Sequence, residues 1–145
     1  MMDSVVDSAE HLLVILADDV DRDAIDRELA LRVPAGAVVR VIASPEVSWL
    51  QWLTNDEDAA RERADELAAR AAETLGHTAV VEQGIGDVDP VRVAEDAAAL
   101  GPADVVLVVF SDTHSDAARR EEVMQSIVER LGVPVHEFSL PAPEG

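Results

Sequence analysis

Residues 103–110 read ADVVLVVF and residues 11–17 read HLLVILA, and these two runs decide the fold class. Each is almost wholly apolar over the length of a strand, without the polar and apolar alternation of a half-exposed strand. Strands of this kind are covered on both faces, which is typical of parallel sheets with helices on either side. The sequence therefore predicts an α/β protein, with residues 103–110 in a central position of the sheet.

Strand-like and helical patterns alternate through the rest of the chain. Further apolar runs of strand length lie at 37–43, 78–82 and 133–140. Apolar residues at helical spacing occupy 21–33, 54–76, 90–100 and 115–131. Thr54 and Glu57 match a capping box, and Asp89 followed by Pro90 is typical of a helix start. This alternation predicts one domain with a single five-stranded, mostly parallel sheet and helices on both faces.

The charge balance excludes several classes of function. The 145 residues include 30 acidic and 11 basic ones, giving a formal net charge of -19. Such a chain repels nucleic-acid phosphates and anionic lipid, so we expect neither nucleic acid nor a membrane as a partner. It has no cysteine, which excludes disulfides, thiolate metal sites and a cysteine nucleophile. Without a signal-like or membrane-spanning apolar stretch, we expect a cytoplasmic protein.

The basic residues are all arginine, and the acids are in large surplus. An acidic surface of this kind holds water and cations in concentrated salt, and its charges repel one another when salt is low. We therefore expect a halophilic protein whose fold loosens at low salt. A GC-rich genome is the alternative explanation. It accounts for the missing lysine but not for the surplus of acid.

Four motifs, in order along residues 11–140, resemble the universal stress protein family. They are LLVILADD at 12–19, GDVDP at 86–90, GPADVVLV at 101–108 and SIVERLGVPV at 126–135. Asp19 falls on the aspartate that family members carry after their first strand. The resemblance implies an N-terminal extension over 1–10, a universal stress protein-like domain over 11–140 and a C-terminal tail over 141–145.

The same resemblance implies the sheet order 3-2-1-4-5 and a role as a regulatory or binding protein without catalysis. Family members often form homodimers through the fifth strand. Here His136, Phe138 and Leu140 would share one face of that strand in such a dimer. An alternative role is a structural partner subunit that acts through the fifth strand and the helix before it.

The phosphate-binding motif of the ATP-binding family members is missing. Those members carry Gly-x2-Gly-x9-Gly-Ser/Thr after the fourth strand, whereas this chain has no glycine between Gly101 and Gly132. Backbone amides usually need glycines to converge on a phosphate. The loop offers Asp112 and Asp116 instead, and their carboxylates would oppose a triphosphate. We therefore expect no cofactor and no tight ATP binding.

A nucleotide-binding stress sensor or weak ATPase, with ATP or AMP as ligand, stays open as a second reading. In that case the resemblance implies that Asp19 would contact the ribose and that the backbone near Val41 would contact the adenine. The residues that would contact the phosphates are Ser115, Ser126, Arg119 and Arg120.

Other chemistry has little support in the sequence. The acids at 18–23 lack the Asp-x-Asp-x-Asp-Gly pattern of a cation loop, and we interpret them as a solvated helix start. The serines near the fourth strand lack a Gly-x-Ser-x-Gly elbow, so we expect no catalytic residue. No zinc-helix spacing occurs among the four histidines, so we expect no metal site and interpret them as surface or strand-end residues: His11, His77, His114 and His136.

Overall fold

The computed structural model describes residues 10–18, 20–33, 36–44, 57–76, 80–85, 89–112 and 117–142. Its strands are β1 (His11–Leu16), β2 (Val38–Ala43), β3 (Val80–Ile85), β4 (Val105–Ser111) and β5 (Val135–Leu140). Its α-helices are α1 (Arg22–Glu28), α2 (Glu57–Leu75), α3 (Pro90–Leu100) and α4 (Ala117–Leu131), and a 3-10 helix (Leu29–Arg32) follows α1.

The strands form one sheet in the order β3-β2-β1-β4-β5. All four neighbouring pairs are parallel, and Val14 of β1 lies between Val41 of β2 and Leu107 of β4. The chain runs outward from β1 to β3 on one side and returns to β4 on the other. The direction of winding therefore changes between β1 and β4, where open α/β sheets form a crevice at their carboxyl edge.

The order β3-β2-β1-β4-β5 is the five-stranded order 3-2-1-4-5 that the family resemblance implies. β3 and β5 are the two edge strands of this sheet. β3 adds a backbone pairing with β2 at one edge. It also begins and ends later than expected, at Val80 and Ile85, because Gly84 continues the strand opposite Ile42 instead of starting a turn.

Both faces of β1 are buried, as its aliphatic run predicts. Leu12 and Leu16 pack with the residues of α1 and α2, whereas Leu13 and Ile15 pack with those of α3 and α4. All seven residues of β4 are buried as well, including Phe110 at 0% exposure. Burial of one such side chain stabilises the fold by about 1.5–3 kcal/mol, so these two strands carry much of the core.

The two helices with the clearest sequence signals form as expected. Asp89 precedes α3, and its Oδ1 accepts a hydrogen bond of 3.0 Å from the Val91 amide, while Pro90 takes the first helical position. The apolar stripe of α2 faces the core through Ala64, Leu67, Ala68, Ala71 and Leu75. Its capping-box residue Thr54 lies outside the described residues. No helix in the described ranges has the length and apolar character that a membrane crossing requires.

The helix expected over 21–33 is shorter and changes type. α1 ends at Glu28 and continues as a 3-10 helix to Arg32, after which Val33 is extended, with φ -97° and ψ 126°. Pro34 follows in the sequence, and a residue before proline is disfavoured in the helical region. Gly36 has φ +81°, a conformation that glycine adopts without strain, and the turn there leads into β2.

A single arginine connects β2 to the end of α3. Arg40 Nη1 donates to the carbonyl of Ala97 at 2.6 Å, and its Nη2 donates to the carbonyls of Gly101 and Pro102 at 3.1 and 3.2 Å. Ala97 lies in the last turn of α3, where its carbonyl also accepts from the Gly101 amide at 3.3 Å, and Gly101 and Pro102 directly follow the helix. A cation at this end also complements the helix dipole. The planar guanidinium reaches several carbonyls at once, which a lysine ammonium does less well.

An acid on α1 is held by two groups on α2. Asp26 accepts hydrogen bonds from the Arg70 guanidinium and from the Thr74 hydroxyl. The Thr74 hydrogen bond is the main cause that lowers the pKa of Asp26 from its ordinary value of 3.8. Burial opposes this shift, and the hydrogen bond and charge of Arg70 lower the pKa further. These contacts join the two helices that cover one face of the sheet.

Replacing Arg40 by methionine is expected to lower the free energy of unfolding by about 2 kcal/mol, because the carbonyls at the end of α3 lose a charged donor. Urea denaturation measures the change. Arg92→Met is the matched control, since Arg92 is exposed on α3 and the substitution removes the same charge. Equal urea midpoints for the two variants would contradict the capping role of Arg40.

Asp26→Asn is expected to lower the free energy of unfolding at neutral pH and to have no effect in strong acid. A carboxyl whose pKa is lowered by folding contributes stability above its unfolded pKa and loses that contribution as pH falls through the folded value. The difference between wild type and Asp26→Asn should therefore shrink as pH falls below about 3.8. Urea titrations at a series of pH values measure it. Asp65→Asn, an exposed site on α2, should show no such pH-dependent difference.

Candidate functional site

The candidate site lies at the carboxyl edge of the sheet, where β1 and β4 end side by side. Strand-like pairing continues one residue past the ends of both. The Ala17 amide donates to the Val109 carbonyl at 2.9 Å, and the Asp112 amide donates to the Leu140 carbonyl at 2.9 Å. The backbone on both sides of the crevice is therefore fixed by the sheet itself, and side chains that follow these strands have defined positions.

Asp18 is the charged residue at the centre of this edge. It follows β1 by two residues, and its side chain is 8% exposed. Its Oδ2 accepts a hydrogen bond of 3.0 Å from the amide of Ser111, the last residue of β4. Its Oδ1 accepts one of 3.3 Å from Nη1 of Arg119 in the first turn of α4. One carboxylate thus joins the ends of β1 and β4 to the start of α4.

These contacts explain how a carboxylate is buried at this place. A buried charge is costly unless an opposite charge and hydrogen bonds compensate it. The guanidinium supplies the charge and the Ser111 amide supplies a hydrogen bond. Removing one partner of such a pair typically costs 3–5 kcal/mol because the other remains buried. The Asp18–Arg119 pair is therefore a structural part of the crevice.

The interpretation of Asp18 as part of a solvated helix start is wrong. Its side chain is buried, and it points to an arginine 101 residues further along the chain. No local pattern marks this contact, because the partner reaches it only through the parallel arrangement of β1 and β4. Asp19, the residue that the family resemblance favours, lies outside the described residues.

The other residues suggested for nucleotide binding are spread over the molecule. Val41 is fully buried in β2, on the face toward α1 and α2. Ser126 lies seven residues after Arg119 on α4, roughly 10 Å along the helix axis. Ser115 lies outside the described residues. Of the suggested phosphate ligands, the described part of the chain thus has Arg119 at the carboxyl edge, in contact with Asp18.

Arg120 does not join Arg119 at the crevice. Its Nη1 donates to Oε1 of Glu137 and to Oγ of Ser139, both at 3.1 Å. Both acceptors lie on β5, so Arg120 connects α4 to the edge strand. Arg120 points to β5 and not to Asp18, because adjacent residues of a helix point in different directions. Its suggested role toward phosphates stays a prediction.

The side chains of β5, the strand expected to form the dimer, differ in their burial. Leu140 is fully buried in the core of its own chain, so it is not available to a second subunit, which corrects its assignment to the dimer face. Phe138 is partly buried, and the guanidinium of Arg32 lies 4.8 Å from its ring centroid. His136 is half-buried. The side of β5 opposite β4 forms an edge of the sheet.

A second concave region lies far from Asp18. It is an open groove of about 450 Å³ between the carboxyl ends of α3 and α4, lined partly by Ala98, Pro102 and Leu131. Arg130 donates to Glu95 across it. Arg119 stands at the opposite end of α4. The groove is therefore separate from the crevice at the carboxyl edge of the sheet.

The chain was compared with protein families, curated proteins and solved structures. No family model matches the chain, and no curated protein matches it. Among solved structures, the chain is similar to a crystal structure of a universal stress protein in complex with cAMP. The two sequences are 17% identical, the match covers 91% of this chain and 98% of the other, and the TM-score is 0.46.

Proposed function

We propose that this chain is a non-catalytic regulatory or binding protein of the universal stress protein type that does not hold ATP tightly. The observation that carries the proposal is the Asp18–Arg119 ion pair at the carboxyl edge of β1 and β4. It occupies the position where open α/β sheets usually bind ligands. We assign the protein to the cytoplasm as part of the same proposal.

The ion pair opposes nucleotide binding in two ways. A phosphate that takes Arg119 as its ligand must compete with a carboxylate that is already in contact with the guanidinium. A successful competitor would leave Asp18 buried without its counter-charge and would lie close to a second negative charge. Both effects weaken the binding of a polyphosphate more than that of a neutral ligand.

The loop after β4 gives independent support from the sequence. No glycine occurs between Gly101 and Gly132, so the loop lacks the residue that most readily lets backbone amides surround a phosphate. Asp112, at the start of this loop, is exposed and adds a further carboxylate to the same edge. The lack of catalysis is proposed because the Asp18 carboxylate, the buried acid of the crevice, is already paired with Arg119.

A nucleotide-binding sensor is the second candidate, and one observation favours it. Arg119 lies in the first turn of a helix at the carboxyl edge, the usual place of a phosphate ligand in such folds. A nucleotide would then have to displace the Asp18 carboxylate from this guanidinium. The two candidates thus differ in which partner Arg119 prefers, and this can be measured.

We also propose that the protein forms a homodimer through β5. Val106 donates to the Pro134 carbonyl at 3.0 Å, and Asp112 donates to the Leu140 carbonyl at 2.9 Å. In a parallel pair the backbone groups of alternate residues point to alternate sides. The backbone amides and carbonyls of the even-numbered residues of β5 therefore point to β4. The backbone amide of Glu137 points to the open edge of the sheet. Such an edge is a template for pairing with another strand.

We expect wild-type protein to show no micromolar binding of ATP or AMP in isothermal titration calorimetry, in either physiological or concentrated salt. The Asp18→Asn variant should bind at least tenfold more tightly than wild type, a gain of about 1.4 kcal/mol, because Arg119 is released while the hydrogen-bond acceptor remains. cAMP serves as a further probe.

Asp112→Asn is the matched control for this titration, since it removes the same charge from an exposed position at the same edge. Its nucleotide affinity should rise less than that of Asp18→Asn, because the substitution removes a neighbouring negative charge but leaves Arg119 paired with Asp18. Micromolar binding of ATP by wild type would overturn the proposal in favour of the sensor. Equal affinities of the Asp18 and Asp112 variants would remove the role assigned to the ion pair.

In light scattering coupled to size exclusion, wild type should show twice the mass of one chain, and Glu137→Pro should show the mass of one chain. Proline removes the amide that we propose to pair between subunits and is tolerated on edge strands. Glu137→Ala is the control, because it removes the contact with Arg120 but keeps the amide, and it should remain dimeric. A single-chain mass for wild type at every concentration would contradict the dimer.

A further inference from the structure

A group of three potential metal ligands lies at the amino edge of the sheet, opposite the crevice. Glu10, His11 and Asp104 each present one ligand atom, and these atoms all lie within 4.8 Å of one another. His11 begins β1, and Asp104 directly precedes β4. Two central, adjacent strands thus bring the group together.

The backbone holds these residues in place. Asp104 Oδ2 accepts hydrogen bonds from the amides of Glu10 at 3.1 Å and His11 at 3.0 Å, and the Asp104 amide donates to the His11 carbonyl at 2.8 Å. On the other side, the Val38 amide of β2 donates to the Glu10 carbonyl at 2.8 Å. The three residues therefore stand on backbone that is tied to two neighbouring elements, which limits the motion needed to bind an ion.

The donor set has a recognisable chemistry. His11 Nδ1 lies 3.7 Å from Asp104 Oδ2, which is close to the spacing of about 3.4 Å between two ligands at tetrahedral zinc with bonds of roughly 2.1 Å. One imidazole nitrogen with two carboxylate oxygens suits zinc and similar divalent ions, whereas carboxylates alone favour magnesium or calcium. The group is also accessible, since the His11 and Asp104 side chains are 38% and 51% exposed.

Electrostatics favours a cation at this place. Two ionised carboxylates and a neutral imidazole carry two negative charges in close proximity, and the whole chain adds a net charge of -19. A divalent ion offsets the local repulsion, and the field of an acidic protein raises the local concentration of cations. The imidazole is what distinguishes this group from the many exposed acids of the chain.

We propose that Glu10, His11 and Asp104 form a binding site for a divalent transition-metal ion, with zinc as the reference ion and water completing the coordination. The ion would fasten the start of β1 to the turn before β4. This site is independent of the nucleotide question, because it lies at the other edge of the sheet from Asp18.

Zinc titrated into the full chain at neutral pH, in the presence of excess magnesium, tests the proposal. Calorimetry should give one zinc ion per chain with micromolar affinity, and thermal unfolding should shift to higher temperature with zinc. His11→Gln should weaken zinc binding at least tenfold. His136→Gln is the matched control, since His136 is a half-buried histidine on β5, and it should bind zinc as wild type does.

Asp104→Asn is a second variant that keeps an oxygen acceptor for the two backbone amides and should also weaken zinc binding. Circular dichroism without metal verifies that each variant is folded. Absence of a magnesium-resistant zinc site in wild type would overturn the proposal. Equal zinc affinity in wild type and a folded His11→Gln variant would overturn it too, because binding would then come from the acidic surface in general.

Discussion

The complete burial of β1 and β4 is the constraint on which the rest of the structure depends. Both strands are covered by helices on either face, and no other residue pattern in the chain is as continuously apolar. Because they pair in parallel, their carboxyl ends meet at one edge and their amino ends at the other. The buried Asp18 and the group around His11 are consequences of this pairing at the two opposite edges.

Charge is used differently at these two edges. At the carboxyl edge, Asp18 is buried and its charge is compensated by Arg119 within the same chain. At the amino edge, Glu10 and Asp104 are exposed and lie beside His11. The first arrangement is internally balanced and opposes an incoming anion. The arrangement at the amino edge leaves negative charge that a bound ion can balance. This is why we propose a cation at the amino edge and none at the carboxyl edge.

The sequence predicts the structural features that are determined by residues close to one another along the chain, such as buried strands and helix starts. The aliphatic runs indicate buried strands because a strand with two covered faces needs apolar side chains at every position. The start of α3 follows from Asp89 and Pro90, whose effects are local. The sequence predicts β3 two to three residues too early, because Gly84 is compatible with both a turn and an edge strand.

The site residues were harder to predict because their partners are distant in sequence. Asp18 and Arg119 are separated by 101 residues, and His11 and Asp104 by 93. Periodicity and motif spacing carry no information about such pairs, so the sequence predicts a solvated Asp18 and histidines at the surface or at strand ends. Once the register of β1 and β4 is known, the pairing of His11 with Asp104 and of Asp18 with Ser111 follows, since the register sets which residues face each other beyond the strand ends. The contact with Arg119 depends in addition on the position of α4.

The Pro141 carbonyl accepts a hydrogen bond from the Asp21 amide at 2.9 Å, so the chain passes beside the crevice as it leaves β5. Glu10, by contrast, stands at the opposite edge of the sheet. A fluorophore attached at position 142 would accordingly report on the surroundings of Asp18, and one attached at position 10 on those of His11. The geometry of the sheet thus provides two separate attachment points for optical labels, one for each end of the parallel strands.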